Sequence, residues 1–176
     1  MNLPVGYLIG LGSNIAPEKN LPEILKQLLG IHPQLTLSRV LRTEPKGIDS
    51  AHAFLNAVVF LPTTLPADEL KLRTNAIEIN LGRDRSRPDK KKIDRTADID
   101  LLMKTHPTQL DKPLDTIESY LLPSAREVIA YISGAHSPSI DGEIVPIALE
   151  GLHLGEAPAT IHRDDRTGLI RIIKHA

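Results

Sequence analysis

Tyr7, Ile9 and Leu11 alternate with Leu8 and Gly10, and this two-residue period predicts a strand over residues 7–11. It runs into Gly12-Ser13-Asn14, residues that tolerate unusual backbone angles and suit a turn. Leu21, Ile24, Leu25, Leu28 and Leu29 then form the single stripe of an amphipathic helix that Gly30 ends. Asn20, with Glu23 three residues on, has the form of a capping box at its start. Leu35 to Thr43 reads as a strand whose alternation slips near Arg39, as at a bulge. Glu44 to Ala53, with Pro45, Gly47, Asp49 and Ser50, is a loop, and Phe54 to Leu61 a further strand. Pro66 stands where a first helical turn accepts proline, and Leu70, Thr74, Ile77 and Leu81 share one helix face until Gly82. A polar, basic segment follows, and Asp98 to Met103 returns to strand.

The order strand, helix, strand, strand, helix, strand predicts an α+β fold of the ferredoxin-like βαββαβ type, a mainly antiparallel sheet with both helices on one face. Further on, Ser124 and Glu127 suggest a second capping box, opening a helix that runs to Ser133. Leu169 to Ile173 suggests a closing strand, and Pro138, Pro146 and Pro158 punctuate loops between the two. With 176 residues the chain is expected to form one domain, 1–176, with its core over about 5–103 and an extension over 104–176.

Composition narrows the chemistry. The absence of cysteine excludes disulfides and thiolate metal sites, and a cytoplasmic setting is the default expectation. The N-terminal stretch lacks a basic segment and its apolar run is broken by Gly6, Gly10 and Gly12, so neither a signal peptide nor a membrane span is expected. A net charge of -1 gives no global attraction to nucleic acid or acidic membranes. Charge is nevertheless uneven: residues 83–95 carry seven cations against three anions. Aromatic residues make up only 3% of the chain and there is no tryptophan, so ring stacking must draw on Tyr7, Phe54, Phe60, Tyr120 or Tyr131.

Asp98 and Asp100, two apart on a strand, point their carboxylates the same way, with Ile99 and Leu101 facing the other side. Two adjacent anions repel unless solvent screens them or a divalent cation lies between them. Magnesium is typically held by one or two carboxylates plus substrate phosphates. Alone, such a pair more often marks an exposed strand edge than a metal site. Beside a cationic loop it reads as a phosphate-transfer centre. None of the seven histidines falls at metal-ligand spacing.

Five further patterns stand in order: Gly12-Ser13-Asn14, Arg42-Thr43-x-Pro45, Phe54-Leu55-Asn56-Ala57, Ile77-Glu78 with Gly82-Arg83-x-Arg85, and Arg95-Thr96-x-Asp98-x-Asp100. Together they resemble the 6-hydroxymethyl-7,8-dihydropterin pyrophosphokinase family of folate synthesis. The resemblance implies transfer of pyrophosphate from ATP to the hydroxymethyl group of a reduced pterin, releasing AMP. It implies that Asp98 and Asp100 hold magnesium, two ions in all, that Arg83, Arg85 and Arg95 contact the nucleotide phosphates, and that Thr96 belongs to the ATP site. Asn75 and Glu78 match positions that touch the nucleotide, and Thr43, Phe54 and Asn56 match the pterin site. The catalytic set is then Asp98, Asp100, Arg83 and Arg95. The implied partners are small-molecule substrates, with no nucleic acid or membrane, in a monomer or weak homodimer.

The chain also departs from that pattern. Where the family usually reads Trp-Gly-Pro-Arg-Thr, this sequence has Lys92-Ile93-Asp94-Arg95-Thr96, so the stacking tryptophan is missing. Placing Arg126 on the arginine of the family's later Arg-x-Phe leaves Val128 for the phenylalanine, with Tyr120 near the family's histidine. A catalytically silent paralogue, or one acting on another heterocycle, is the alternative. RNA binding through the basic loop is disfavoured, because the strands offer few rings for bases to stack on.

Overall fold

The computed structural model describes residues 4–48, 50–90, 92–105, 110, 112–136 and 140–173. Asp49 and Pro138, read above as loop residues, and Lys91 of the basic segment lie outside these. Strand β1 (Gly6–Ser13) leads into helix α1 (Pro17–Leu28), then β2 (Gln34–Leu37), β3 (Leu41–Thr43), β4 (Phe54–Pro62), helix α2 (Ala67–Asn80) and β5 (Asp98–Thr105). The main sheet runs β2-β4-β1-β5 through its centre with every neighbour antiparallel, which is the ferredoxin-like order.

The sheet is covered on both sides. Its odd-numbered β1 residues, Tyr7, Ile9 and Leu11, pack with Leu21, Ile24, Leu25 and Leu28 of α1 and Leu70 and Ile77 of α2. The opposite face, Leu8, Val58, Phe60 and Met103, is buried under Ala125 and Val128 of helix α3 (Leu122–Ser133) and under Leu121 just before it. The two expected helices thus share one face, and the third closes the other.

Local details differ from the sequence reading at both capping boxes. Helix α1 begins at Pro17, behind Ala16 in the left-handed region, and Asn20 donates its amide back to the Ile15 carbonyl at 2.6 Å instead of capping. Proline at the first helical position, where an N–H has no partner to lose, explains the earlier start. Ser124 and Glu127 are buried inside α3 and form no cap; Glu127 instead faces Arg39 at 3.2 Å. The expected slip near Arg39 is a true break between β2 and β3. There the Ser38 hydroxyl accepts the Val58 N–H at 2.9 Å and its own N–H donates to the Val58 carbonyl at 2.9 Å.

The C-terminal third holds more strand than its sequence suggests. β6 (Glu143–Ile144) pairs with β3, β7 (Ile147–Leu149) and β8 (Leu152–Leu154) form a hairpin whose apolar residues join the α1 side of the core, and β9 (Ala159–Arg163) adds to β2. β10 (Ile170–Ile173) follows as the expected closing strand, at the sheet edge. β5 is the other edge, and α2 covers part of it. Glu78 accepts the Ile99 N–H at 3.0 Å and Lys71 donates to the Ile99 carbonyl at 3.4 Å, occupying backbone groups that would otherwise invite another strand. No helix among the described residues is long and apolar enough to cross a membrane.

Candidate active site

The paired acids sit opposite two glycines. In the β1–β5 register Asp98 faces Gly12 and Asp100 faces Gly10, and a bulge at Leu102 ends this regular stretch. Absence of side chains at these two positions keeps the floor in front of the acids low. A Cβ on Gly12 would stand 2.8 Å from the Asn56 Oδ1, and one on Gly10 would meet Leu121 at 2.9 Å. The alternation that produced the first strand therefore also clears the site, a signal present in the sequence but legible only once the strands are paired.

Arginines close in from the loop. Arg83 and Arg95 each donate to one oxygen of Asp98, both at 3.1 Å. Arg83 also binds Glu78 at 2.5 Å and the Ala97 carbonyl at 3.1 Å, and Arg85 takes the other Glu78 oxygen at 2.6 Å. Glu78 is fully buried, its two oxygens shared among two guanidinium groups and the Ile99 N–H. Its observed role is to hold Arg83 and Arg85 in place. Each carboxylate oxygen of Asp98 keeps a further acceptor site beyond its arginine. Asp100 carries the less compensated charge: burial, then the charge of Asp98, push its pKa above the ordinary carboxylate value.

Asn14 anchors the end of the basic loop. Its backbone N–H donates to the Arg95 carbonyl at 3.0 Å, its Oδ1 accepts the Arg95 N–H at 2.7 Å, and its amide donates to Asp94 at 2.8 Å and to the His52 carbonyl at 3.3 Å. One side chain thus ties together the ends of both long loops. Sequence reasoning treated it as turn chemistry.

Beside the acids opens a cavity of about 200 Å³. Thr43, Phe54 and Asn56 line it, as do Arg95 and Asp98, so the residues matched to pterin and those matched to phosphate share one wall. Asn56 donates to the Thr43 hydroxyl, and the Arg95 guanidinium lies 6.0 Å from the centre of the Phe54 ring. Tyr120 also lines it, with the Lys46 ammonium 5.8 Å from its ring centre, and burial together with the charges of Asp98 and Asp100 pushes its hydroxyl up to about 12. Asn75 lies on α2 with a buried Oδ1 that has no partner among the described residues, and Thr96 lines a second cavity beneath the basic loop.

A ferredoxin-like sheet that sets paired acids and fixed arginines beside a ring-lined cavity defines a phosphoryl-transfer type of site. The chain matches the family model for 7,8-dihydro-6-hydroxymethylpterin-pyrophosphokinase over residues 8–128, and it belongs to that family. Among similar proteins is the 2-amino-4-hydroxy-6-hydroxymethyldihydropteridine pyrophosphokinase of Porphyromonas gingivalis, 36% identical over 107 residues, which cover 60% of this chain and 73% of that one. The enzyme of the same name from Bacillus subtilis is 36% identical over 98 residues, 54% of this chain and 57% of its own length. That from Campylobacter jejuni is 34% identical over 108 residues, 60% of this chain and 67% of its own.

Proposed function

We propose that the chain transfers the β,γ-pyrophosphate of ATP to the hydroxymethyl group of 6-hydroxymethyl-7,8-dihydropterin and releases AMP, with magnesium held by Asp98 and Asp100. The observation that carries this reading is the shared wall: Arg95 and Asp98 border the same cavity as Phe54 and Asn56, so an acceptor held there lies next to the phosphate groups.

The acid pair suits a hard cation. Both donors are carboxylates, burial and the nearby Asp98 charge raise the pKa of Asp100, and no third His, Cys, Asp or Glu joins a metal-binding group among the described residues. The remaining ligands are then phosphate and water oxygens, as magnesium prefers. Bound there, two magnesium ions would neutralise phosphate charge and bring donor and acceptor oxygens into line.

The protein's own part is mostly placement. Phe54 and Tyr120 offer ring faces to the heterocycle, and Asn56, oriented by Thr43, offers its amide to the heterocycle edge. Arg83 and Arg95, held by Glu78 and Asp98, place cations where charge develops as the hydroxyl oxygen bonds to the β-phosphorus and the bond to the α–β bridging oxygen breaks. The hydroxyl proton passes to solvent water as the new O–P bond forms, and the negative charge of the broken bond departs on AMP.

Chromatography of the nucleotides formed from ATP, magnesium and the pterin tests the reading. Pterin-dependent AMP is expected. ADP in its place, or ATP bound without turnover, would contradict it and favour a different transfer or a silent binding protein.

A further inference from the structure

Two carboxylates among the described residues are fully buried, Glu78 and Glu127. Glu78 is matched by two guanidinium groups and a backbone N–H, whereas Glu127 on α3 meets one cation, the Nε of Arg39 at 3.2 Å. Burial pushes the Glu127 carboxyl above the ordinary carboxylate value, and Arg39 offsets this only in part. Neither Glu127 oxygen has a hydrogen-bond partner among the described residues. A buried pair with so little support adds little stability over apolar side chains of similar volume. Pulling its members apart is different, because it leaves an uncompensated charge in the interior.

The place of the pair gives it a use. Arg39 projects from the break between β2 and β3, where both neighbours are pinned. Ser38 is bonded twice to Val58, and Val40 donates to the Gly155 carbonyl and accepts the Val145 N–H, both at 2.9 Å. β3 then carries Thr43, which orients Asn56 in the acceptor cavity. On the other side, the chain leading into α3 brings Tyr120 and Leu121 against Gly10, Gly12 and the two acids. Packing of Ala125 and Val128 on Leu8, Val58, Phe60 and Met103 has no direction, so it leaves the helix free to slide along the sheet at small cost. A buried ion pair does have direction, and setting register is the best-attested use of one.

Resting on the function proposed above, we propose that Arg39 and Glu127 are positioning residues for the acceptor. Their ion pair fixes α3 against the break between β2 and β3, and so sets where Tyr120 stands in the wall of the acceptor cavity and where Leu121 rests over Gly10. Neither residue touches substrate.

The test compares the parent with Arg39→Met, Glu127→Leu, which puts apolar side chains in place of the pair, and with Glu127→Gln, which removes the attraction with least change of shape. Thermal unfolding, the KM of each substrate and the nuclear Overhauser effect between a Leu121 methyl and the Gly10 α protons are measured; a Cβ on Gly10 would stand 2.9 Å from that methyl carbon. The double variant should melt close to the parent, yet show a weakened Overhauser effect. Its pterin KM should rise about tenfold with the magnesium-ATP KM within about twofold, because a displaced positioning group is felt at the reactant it positions. Glu127→Gln should move the same readouts in the same sense by less, and it decides the matter if the double variant does not fold. An unchanged Overhauser effect, an equal rise in both KM values, or a pterin KM that recovers whenever the melting temperature does overturns the proposal. The Overhauser comparison needs no substrate, so a parent that forms no AMP counts against the activity and leaves the placement of α3 to be judged separately.

Discussion

Asp100 carries the clearest conflict between stability and function. Because burial and the Asp98 charge raise its pKa, the folded chain binds that proton more tightly than the unfolded chain does. Stability contributed here is therefore gained as pH falls through the raised value and lost as pH rises through it, while cation affinity, which needs the ionised group, changes in the opposite sense. Asp100→Asn should thus melt slightly higher at neutral pH, by no more than about 1 kcal/mol after solvent screening, yet lose magnesium-dependent turnover. An unchanged or lower melting temperature would contradict the cause assigned to the shift. Glu78 is the reverse case. Removing one partner of a buried ion pair typically costs about 3–5 kcal/mol, and Glu78→Ala is expected near the lower figure in denaturant unfolding, with weaker nucleotide binding because Arg83 and Arg85 lose their anchor. The pairing of Asp98 with Asp100 was legible beforehand, since a strand's period is local information. The duty of Glu78 was not, because a glutamate on a helix reveals neither its burial nor its partners until α2 is laid along β5.

At the scale of elements, the pairing of β1 with β5 and β4 builds the site. Gly12 lies between Asp98 on one side and Asn56 on the other. Gly12→Ala pushes a methyl group to 2.8 Å from the Asn56 amide oxygen, an overpacking of the kind that costs about 1–3 kcal/mol. Its kinetic signature should be a pterin KM raised about tenfold or more, following the usual conversion of 1.4 kcal/mol to tenfold, with the ATP KM little changed; an equal rise for both substrates would place Asn56 outside the pterin site. The long periodic elements β1, α1, β4 and α2 were legible because each carries enough apolar positions to reveal its period. Helix starts were less so: a proline at the first turn of α1 outranked a plausible capping box, and Ser124 and Glu127 were drawn into packing between α3 and the sheet.

The whole molecule shows why its last third was hard to read. Strands β6 to β9 are two to five residues long, too short to show a period; β6 and β9 take their shape from edges that β3 and β2 already present, and β7 and β8 pair only with each other. Helix α3, by covering the face opposite α1 and α2, brings Leu121 and Tyr120 over the acids. That placement also bears on the missing tryptophan: Tyr120 lines the acceptor cavity together with Phe54, so two rings border it, although neither the basic loop nor Val128 supplies one. The central claim is that this assembled face uses its acid pair to hold magnesium between ATP and the pterin. The most direct measurement is pterin-dependent AMP formation against magnesium concentration, at saturating ATP, in the parent, Asp98→Asn and Asp100→Asn. A saturable magnesium requirement in the parent, with turnover falling at least about a hundredfold in each variant, is predicted from the size of such electrostatic terms. AMP formation that survives in either variant with the same magnesium dependence would contradict the account.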